Sequence, residues 1–125
     1  FLLQDESNVE ELIQRAYKYG NAPKYMLVKG KSDYIVKDGR IVDVVSEPFV
    51  EELEPIGGTG DTLTGIVSAL IDAGYEPLKA CIFSAKINRV AGMLSNPQPS
   101  TQVLDIVKFI PEATHSILLA SSIQG

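Results

Sequence analysis

The sequence predicts an α/β fold, and three observations carry that reading. Tyr25-Met26-Leu27-Val28 is a short continuous apolar run, as a strand covered on both faces shows. Tyr34-Ile35-Val36 and Ile41-Val42-Asp43-Val44-Val45 flank Lys37-Asp38-Gly39-Arg40, and Asp-Gly between β-rich runs signals a hairpin. Apolar residues then recur at helical spacing through 61–73 and 77–94.

Each element can be justified in turn. A first helix over 8–19 is capped by Ser7 or Asn8, with Glu10 and Glu11 in the first turn, where negative charge suits the helix dipole. Its stripe is Val9, Leu12, Ile13, Ala16 and Tyr17, and Gly20-Asn21 ends it. The acidic passage Glu51-Glu52-Leu53-Glu54-Pro55 reads as loop. The helix over 61–73 turns Leu63, Ile66, Val67, Leu70 and Ile71 to one face. The next, over 77–94, starts with proline in its first turn, where the missing N–H does no harm. It is apolar around most of its circumference, so it belongs in the interior. Asn96-Pro97-Gln98-Pro99-Ser100 is a loop, and Ser100 or Thr101 caps a last helix carrying Val103, Leu104, Ile106 and Val107. The tail 114–125 is apolar without clear period and is left unplaced.

Composition bounds the function. At 125 residues, 45% hydrophobic and 22% charged, the chain has material for one core. No apolar run reaches the ~18 residues that span a bilayer, so no membrane segment is expected. A net charge of −5 argues against nucleic acid as the main partner. The single cysteine, Cys81, rules out an internal disulfide and suits a reducing cytoplasm; on its apolar helix face it reads as a packed thiol. His115 stands alone, with no metal-ligand spacing around it. The chain begins Phe1-Leu2-Leu3, without methionine or basic flank, which reads as the inside of a larger fold. One core strand and a hairpin are also too little sheet for these helices. A fragment is expected, burying its apolar face against a second copy or against an N-terminal half.

The chemistry concentrates in Ile56-Gly57-Gly58-Thr59-Gly60-Asp61-Thr62-Leu63-Thr64-Gly65. No Lys-Ser/Thr follows the glycines, so this is not a Walker loop. Leu63 stands where a dinucleotide fingerprint needs its third glycine. Two readings remain. Backbone N–H groups at a helix start make an anion site that glycines leave open, with Asp61 beside the bound phosphate as a base. Alternatively, the glycines only make a tight turn and Asp61 is a favourable first-turn acid. Gly65, one turn in, would allow close packing.

The run Gly57–Gly74, GGTGDTLTGIVSALIDAG, resembles the GGSGDVLTG segment of the ADP/ATP-dependent NAD(P)H-hydrate dehydratases of the ribokinase-like superfamily. Tyr25–Val36, YMLVKGKSDYIV, is similar to that family's strand ending in Lys-Gly before a hairpin. The order of elements agrees over roughly residues 7–112. Pro55-Ile56 stands where the superfamily's sugar kinases often have Asp-Thr, which favours the dehydratase branch. The resemblance implies the carboxyl-terminal half of a ribokinase-like three-layer α/β/α sandwich, with 1–125 a single partial domain. It implies Asp61 as catalytic base, and Gly57, Gly58, Thr59 and Gly60 around the transferred phosphoryl group. It also implies Lys29, Gly30, Lys31, Ser32 and Asp33 along nucleotide phosphate and ribose, with ADP or ATP and Mg²⁺ as cofactors and NAD(P)H hydrate as substrate. On residue chemistry alone, Lys29 and Lys31 are equally ordinary solvated lysines at a strand end.

Two departures stand out. Family members are about twice as long, and Asn88-Arg89 replaces the usual His-Gly pair ahead of Ala91-Gly92. Asn88 and Arg89 read as helix-end polar contacts or as reaching the pocket. The 96–100 loop is a plain connection or a cover over adenine. A sugar or vitamin kinase would use the same loop, and a non-catalytic nucleotide-binding module would keep it without turnover.

Overall fold

The computed structural model describes residues 9–20 and 23–124. The chain forms two compact units, one up to Ser46 and one from Glu47 onward. Phe1–Leu3, the cap candidates Ser7 and Asn8, and Asn21 lie outside the described residues.

The first unit is a helix and an antiparallel meander: α1 (Val9–Lys18), β1 (Tyr25–Val28), β2 (Asp33–Lys37) and β3 (Arg40–Val45), in sheet order β1-β2-β3. Val9 and Ile13, one helical turn apart, are buried with Val28 and Val36. Removing a side chain such as Ile13 from water contributes about 2 kcal/mol. Asp38 and Gly39 take φ +50° and +82°, the twist a two-residue hairpin turn needs. Helix α1 reads that turn directly. The Tyr17 ring lies over Gly39, its hydroxyl donates to the Pro23 carbonyl, and Gln14 Nε2 donates to the Gly39 carbonyl at 3.1 Å. The β2–β3 register steps from Ile35–Asp43 to Val36–Ile41, leaving Val42 as an extra, exposed residue.

One expectation changes here. β1 is not a strand buried on both faces: only Val28 is fully covered, and among the described strands β1 pairs with β2 alone. The strand with both faces buried is β2, where Ile35 and Val36 are each 0% exposed. A four-residue apolar run fits either case, because length and composition do not fix how much of a strand is covered.

The second unit is helical among its described residues: a 3-10 turn (Glu51–Leu53), α2 (Thr59–Asp72), α3 (Pro77–Leu94), α4 (Val103–Val107) and α5 (Ile110–Gln124). Ile66 and Leu70 of α2, Ala80, Ile87 and Ala91 of α3, Ile106 of α4 and Ala113 of α5 form its core. The Tyr75 and Phe83 rings meet edge to face at 5.8 Å. Helix α2 stops at Gly74 (φ +100°), whose N–H reaches Ile71 O while Tyr75 N–H reaches Leu70 O, each at 3.0 Å. Those two bonds close the helix and fold Tyr75 back onto the core.

The α/β class holds, and α3 has the predicted bounds. Four readings need correction. Ile71 is not on the buried face of α2, being 45% exposed. The cap of α4 is Gln102, whose N–H donates to Asp105 Oδ2 at 2.9 Å; the Thr101 hydroxyl is occupied by Gln98 N–H at 2.7 Å. Leu104, placed on the apolar stripe of α4, is 68% exposed. The unplaced tail is most of α5, with Ala113 fully buried.

Gly65 is also not a packing glycine. A methyl group added there meets nothing within 4 Å. Gly65→Ala should therefore raise unfolding free energy by about 1 kcal/mol through helix propensity alone, read as a higher denaturant midpoint. A lower midpoint would show that the position packs after all. Ser84 is the opposite case, since its Oγ is fully buried without a hydrogen-bond partner among the described residues. Ser84→Ala removes a desolvated hydroxyl costing about 1–3 kcal/mol and should leave the protein at least as stable by thermal melting. A clear drop in melting temperature would reveal a bond made by that hydroxyl.

Candidate functional site

The start of α2 is built from backbone. Gly58 is its N-cap, at φ +94° and ψ −6°, and no side chain caps the helix. The first intrahelical bond runs from Thr62 N–H to Gly58 O at 3.0 Å. The N–H groups of Thr59, Gly60 and Asp61 precede it and belong to the donors that a helix start leaves open. Nearby hydroxyls do not fill that role. Thr62 Oγ1 donates to Gly58 O and Thr64 Oγ1 to Gly60 O, both at 3.1 Å, so each turns back along its own helix.

The glycines of the loop divide by what surrounds them. A Cβ on Gly58 would sit 3.1–3.3 Å from the Val103 side chain, and its positive φ disfavours any side chain. Gly58 is thus fixed by packing. Cβ atoms on Gly57 and Gly60 would meet nothing within 4 Å, so the space beyond them is open to a ligand. Asp61 is exposed in the first turn, with its carboxylate close to the positive end of the helix dipole. Open donors, no competing cap and clear approach suit a bound anion.

A groove of about 550 Å³ adjoins the loop. Glu52, Ile56 and Gly57 are on one wall, and Pro99, Gln102 and Val103 on the other. Asp61 and Gly60 are not among its lining residues. Val103 connects the two features, lining the groove while backing Gly58. Pro99 belongs to the 96–100 loop weighed from the sequence as a cover over adenine, whereas nothing in the sequence marked Val103 or Gln102 beyond their place at a helix start.

Gly57, Gly58, Thr59, Gly60 and Asp61 are therefore brought together in the second unit. Lys29, Gly30, Lys31, Ser32 and Asp33 belong to the first, in the turn from β1 to β2. There the buried Asp33 carboxylate accepts the Gly30 N–H at 3.3 Å, and the Ser32 and Ser46 hydroxyls pair at 2.9 Å. Asp33 has a local structural duty, holding the turn closed. Lys31 is exposed and Lys29 half-buried. In α3, Asn88 and Arg89 are both buried, and Arg89 Nη1 donates to the Pro48 carbonyl at 3.3 Å. Burial pushes the Cys81 thiol up, so it stays a protonated, packed group. No three His, Cys, Asp or Glu side chains stand together as metal ligands among the described residues.

Comparison with known proteins gives this geometry a family. A model of the carbohydrate-kinase-related family described as NAD(P)H-hydrate dehydratase matches residues 3–112. An uncharacterized protein of Methanocaldococcus jannaschii is 44% identical over 114 residues, covering 91% of this chain and 49% of that protein. A bifunctional NAD(P)H-hydrate repair enzyme of Hyperthermus butylicus is 32% identical over 94% of this chain and 22% of its own length. One of the same name from Pyrobaculum aerophilum is 37% identical over 68 residues, which is 54% of this chain and 13% of that protein. The chain thus spans half or less of the length of these relatives. No solved structure matches it. The helix start, its glycines and the aspartate behind them belong to a segment that the family model spans, and the chain is a member of the NAD(P)H-hydrate dehydratase family.

Proposed function

We propose that this chain is a partial domain that handles the phosphoryl group in nucleotide-dependent repair of hydrated NAD(P)H. The observation that carries this reading is the uncapped start of α2, where open N–H groups, unobstructed glycines and an exposed carboxylate converge. Family membership and the repair enzymes among the relatives support it.

In this reading the terminal phosphoryl of ADP or ATP rests against the N–H groups of Thr59, Gly60 and Asp61. Those donors stabilise the charge on its outer oxygens as the bond to the leaving nucleotide lengthens. Asp61 accepts the proton of the hydrate's hydroxyl as its oxygen bonds to phosphorus. Phosphate then departs with the carbon–oxygen electron pair, a neighbouring C–H proton is lost, and the ring double bond returns. Mg²⁺ would be held by the nucleotide's own phosphate oxygens and water, neutralising charge there. The groove is the natural place for the nucleoside. Its Glu52 carboxylate accepts hydrogen bonds and repels phosphate, so it favours hydroxyl and amino groups at that end and leaves the phosphates to α2. Lys29, Gly30, Lys31, Ser32 and Asp33, in the first unit, are proposed in their own right as a nucleotide-contacting turn. A kinase would use the same loop and stop at the phosphorylated product; identifying the product separates the two.

Two variants test the reading. In a protein carrying the complete domain, Asp61→Asn should lower hydrate-dependent phosphate release ~10²–10⁴-fold and leave nucleotide affinity within a few fold. Equal turnover would remove Asp61 from the chemistry. Gly60→Val is the test of the loop, because the protein itself leaves room for the side chain. Its melting temperature should stay close to that of the parent, while calorimetry shows ADP and ATP binding at least about tenfold weaker, the scale of one lost charge-assisted contact. Unchanged affinity would mean that the loop is only a turn.

A further inference from the structure

Gly92, on the last turn of α3, lies under the tip of the Leu53 side chain, so a side chain there would have to displace that leucine. A Cβ there would lie 2.4 Å from Leu53 Cδ1 and 3.2 Å from Cδ2. Leu53 closes the 3-10 turn, and its carbonyl accepts the N–H of Ile56 at 3.1 Å, immediately before the glycine loop. Ile56 in turn packs on the helical core and lines the groove. The chain from Leu53 to Gly58 is therefore anchored at both ends. One end is the leucine pressed on the bare backbone of Gly92, and the other is Gly58 against Val103.

The groove depends on the same turn of α3 for its other wall. Ser95 caps α3, Asn96 turns the chain at φ +47°, and the segment runs on through Pro99 to Val103. One wall hangs on Gly92 through Leu53, and the other continues from the end of that helix.

We infer that Gly92 is a positioning residue for the ligand site, acting through Leu53. This rests on the reading of the loop as a nucleotide site and adds to it what sets the loop's place. Gly92→Ala displaces the Leu53 methyl groups; in this inference the strain passes on to Ile56 and Gly57 and is not relieved by a turn of the leucine side chain alone. Leu53→Val shortens the knob by one carbon, so Gly92→Ala/Leu53→Val restores the fit.

The test is a double-mutant cycle in a protein carrying the complete domain, read by calorimetric titration with ADP and with ATP in Mg²⁺. Amide exchange of Ile56 and Thr62, whose N–H groups close the two ends of the loop, is measured in parallel. Gly92→Ala should weaken affinity about tenfold and speed exchange at Ile56, and the double variant should recover most of both. A lower melting temperature with unchanged affinity and unchanged exchange at Ile56 would overturn the inference, as would failure of Leu53→Val to rescue. If Gly92→Ala does not fold, Leu53→Ala decides: looser loop amides and weaker binding support the role, and parent values refute it. A parent chain that binds neither nucleotide refutes the nucleotide reading alone. The exchange pattern at Ile56 and its rescue then still decide whether Gly92 places the loop.

Discussion

Helix α3 is lined on its buried side by Ala80, Ala85, Ala91 and Gly92, and other segments of its unit come close because those side chains are small. Helices α2, α4 and α5 all contact it. Between helices, close approach multiplies weak dispersion contacts and leaves no room for later enlargement. The apolar side chains that fill the remaining space, Ile66, Leu70, Ile87 and Ile106, come from three of the helices. This arrangement explains why a helix that reads as apolar on most sides is buried over so broad an arc. It also explains how a polar side chain such as Ser84 is carried into it, since its volume is little larger than alanine's.

The same economy of volume organises the loop. Three glycines precede Asp61, and the structure gives them two different tasks. Gly58 carries the left-handed backbone and lies under Val103, so it fixes the geometry of the helix start. Gly57 and Gly60 have free space where a side chain would be, so no packing contact among the described residues requires them. At the head of a helix with open N–H groups, that free space leaves the backbone accessible to a ligand. Gly92 has a steric reason of its own, and its effect reaches the loop only through Leu53. Counting glycines in a motif cannot separate these cases, because each looks alike until the Cβ direction is known.

Much of the architecture was legible in the residues. Asp38-Gly39 predicted the hairpin because few other pairs accept two positive φ angles. Pro77 and the Asn96-Pro97 pair bracketed α3, since proline serves at a helix start and asparagine tolerates the left-handed exit. The GGTGD run placed the candidate site at the head of α2. What escaped depended on tertiary choice. The apolar run of β1 did not reveal that only Val28 would be fully covered. Thr101 looked like a cap, but its hydroxyl was taken by Gln98, which moved the helix start to Gln102. Helix α5 mixes serine, threonine and isoleucine without a strong stripe, so packing through Ala113 and Ile117 decided it where periodicity did not. Val103 and Leu53 carry no chemical mark at all, and their part in the site exists only in contact.

Asp61 remains the residue on which the proposed chemistry turns, and its surroundings say what else that chemistry needs. Its carboxylate is exposed at the first turn of α2. Phosphoryl transfer to a sugar-like or tetrahydropyridine hydroxyl competes with transfer to water, so the acceptor must displace solvent from the space beside the base. The open approach at Gly57 and Gly60 admits phosphate and water equally. Glu51, Glu52 and Glu54, all exposed ahead of the loop, repel a phosphate that drifts toward the groove and leave the helix start as the favourable place for it. Position is thus provided by α2, and exclusion of water must come from something laid over it. In the proposed reading the bound substrate supplies part of that cover, and the segment from Leu53 to Asp61 holds the phosphate.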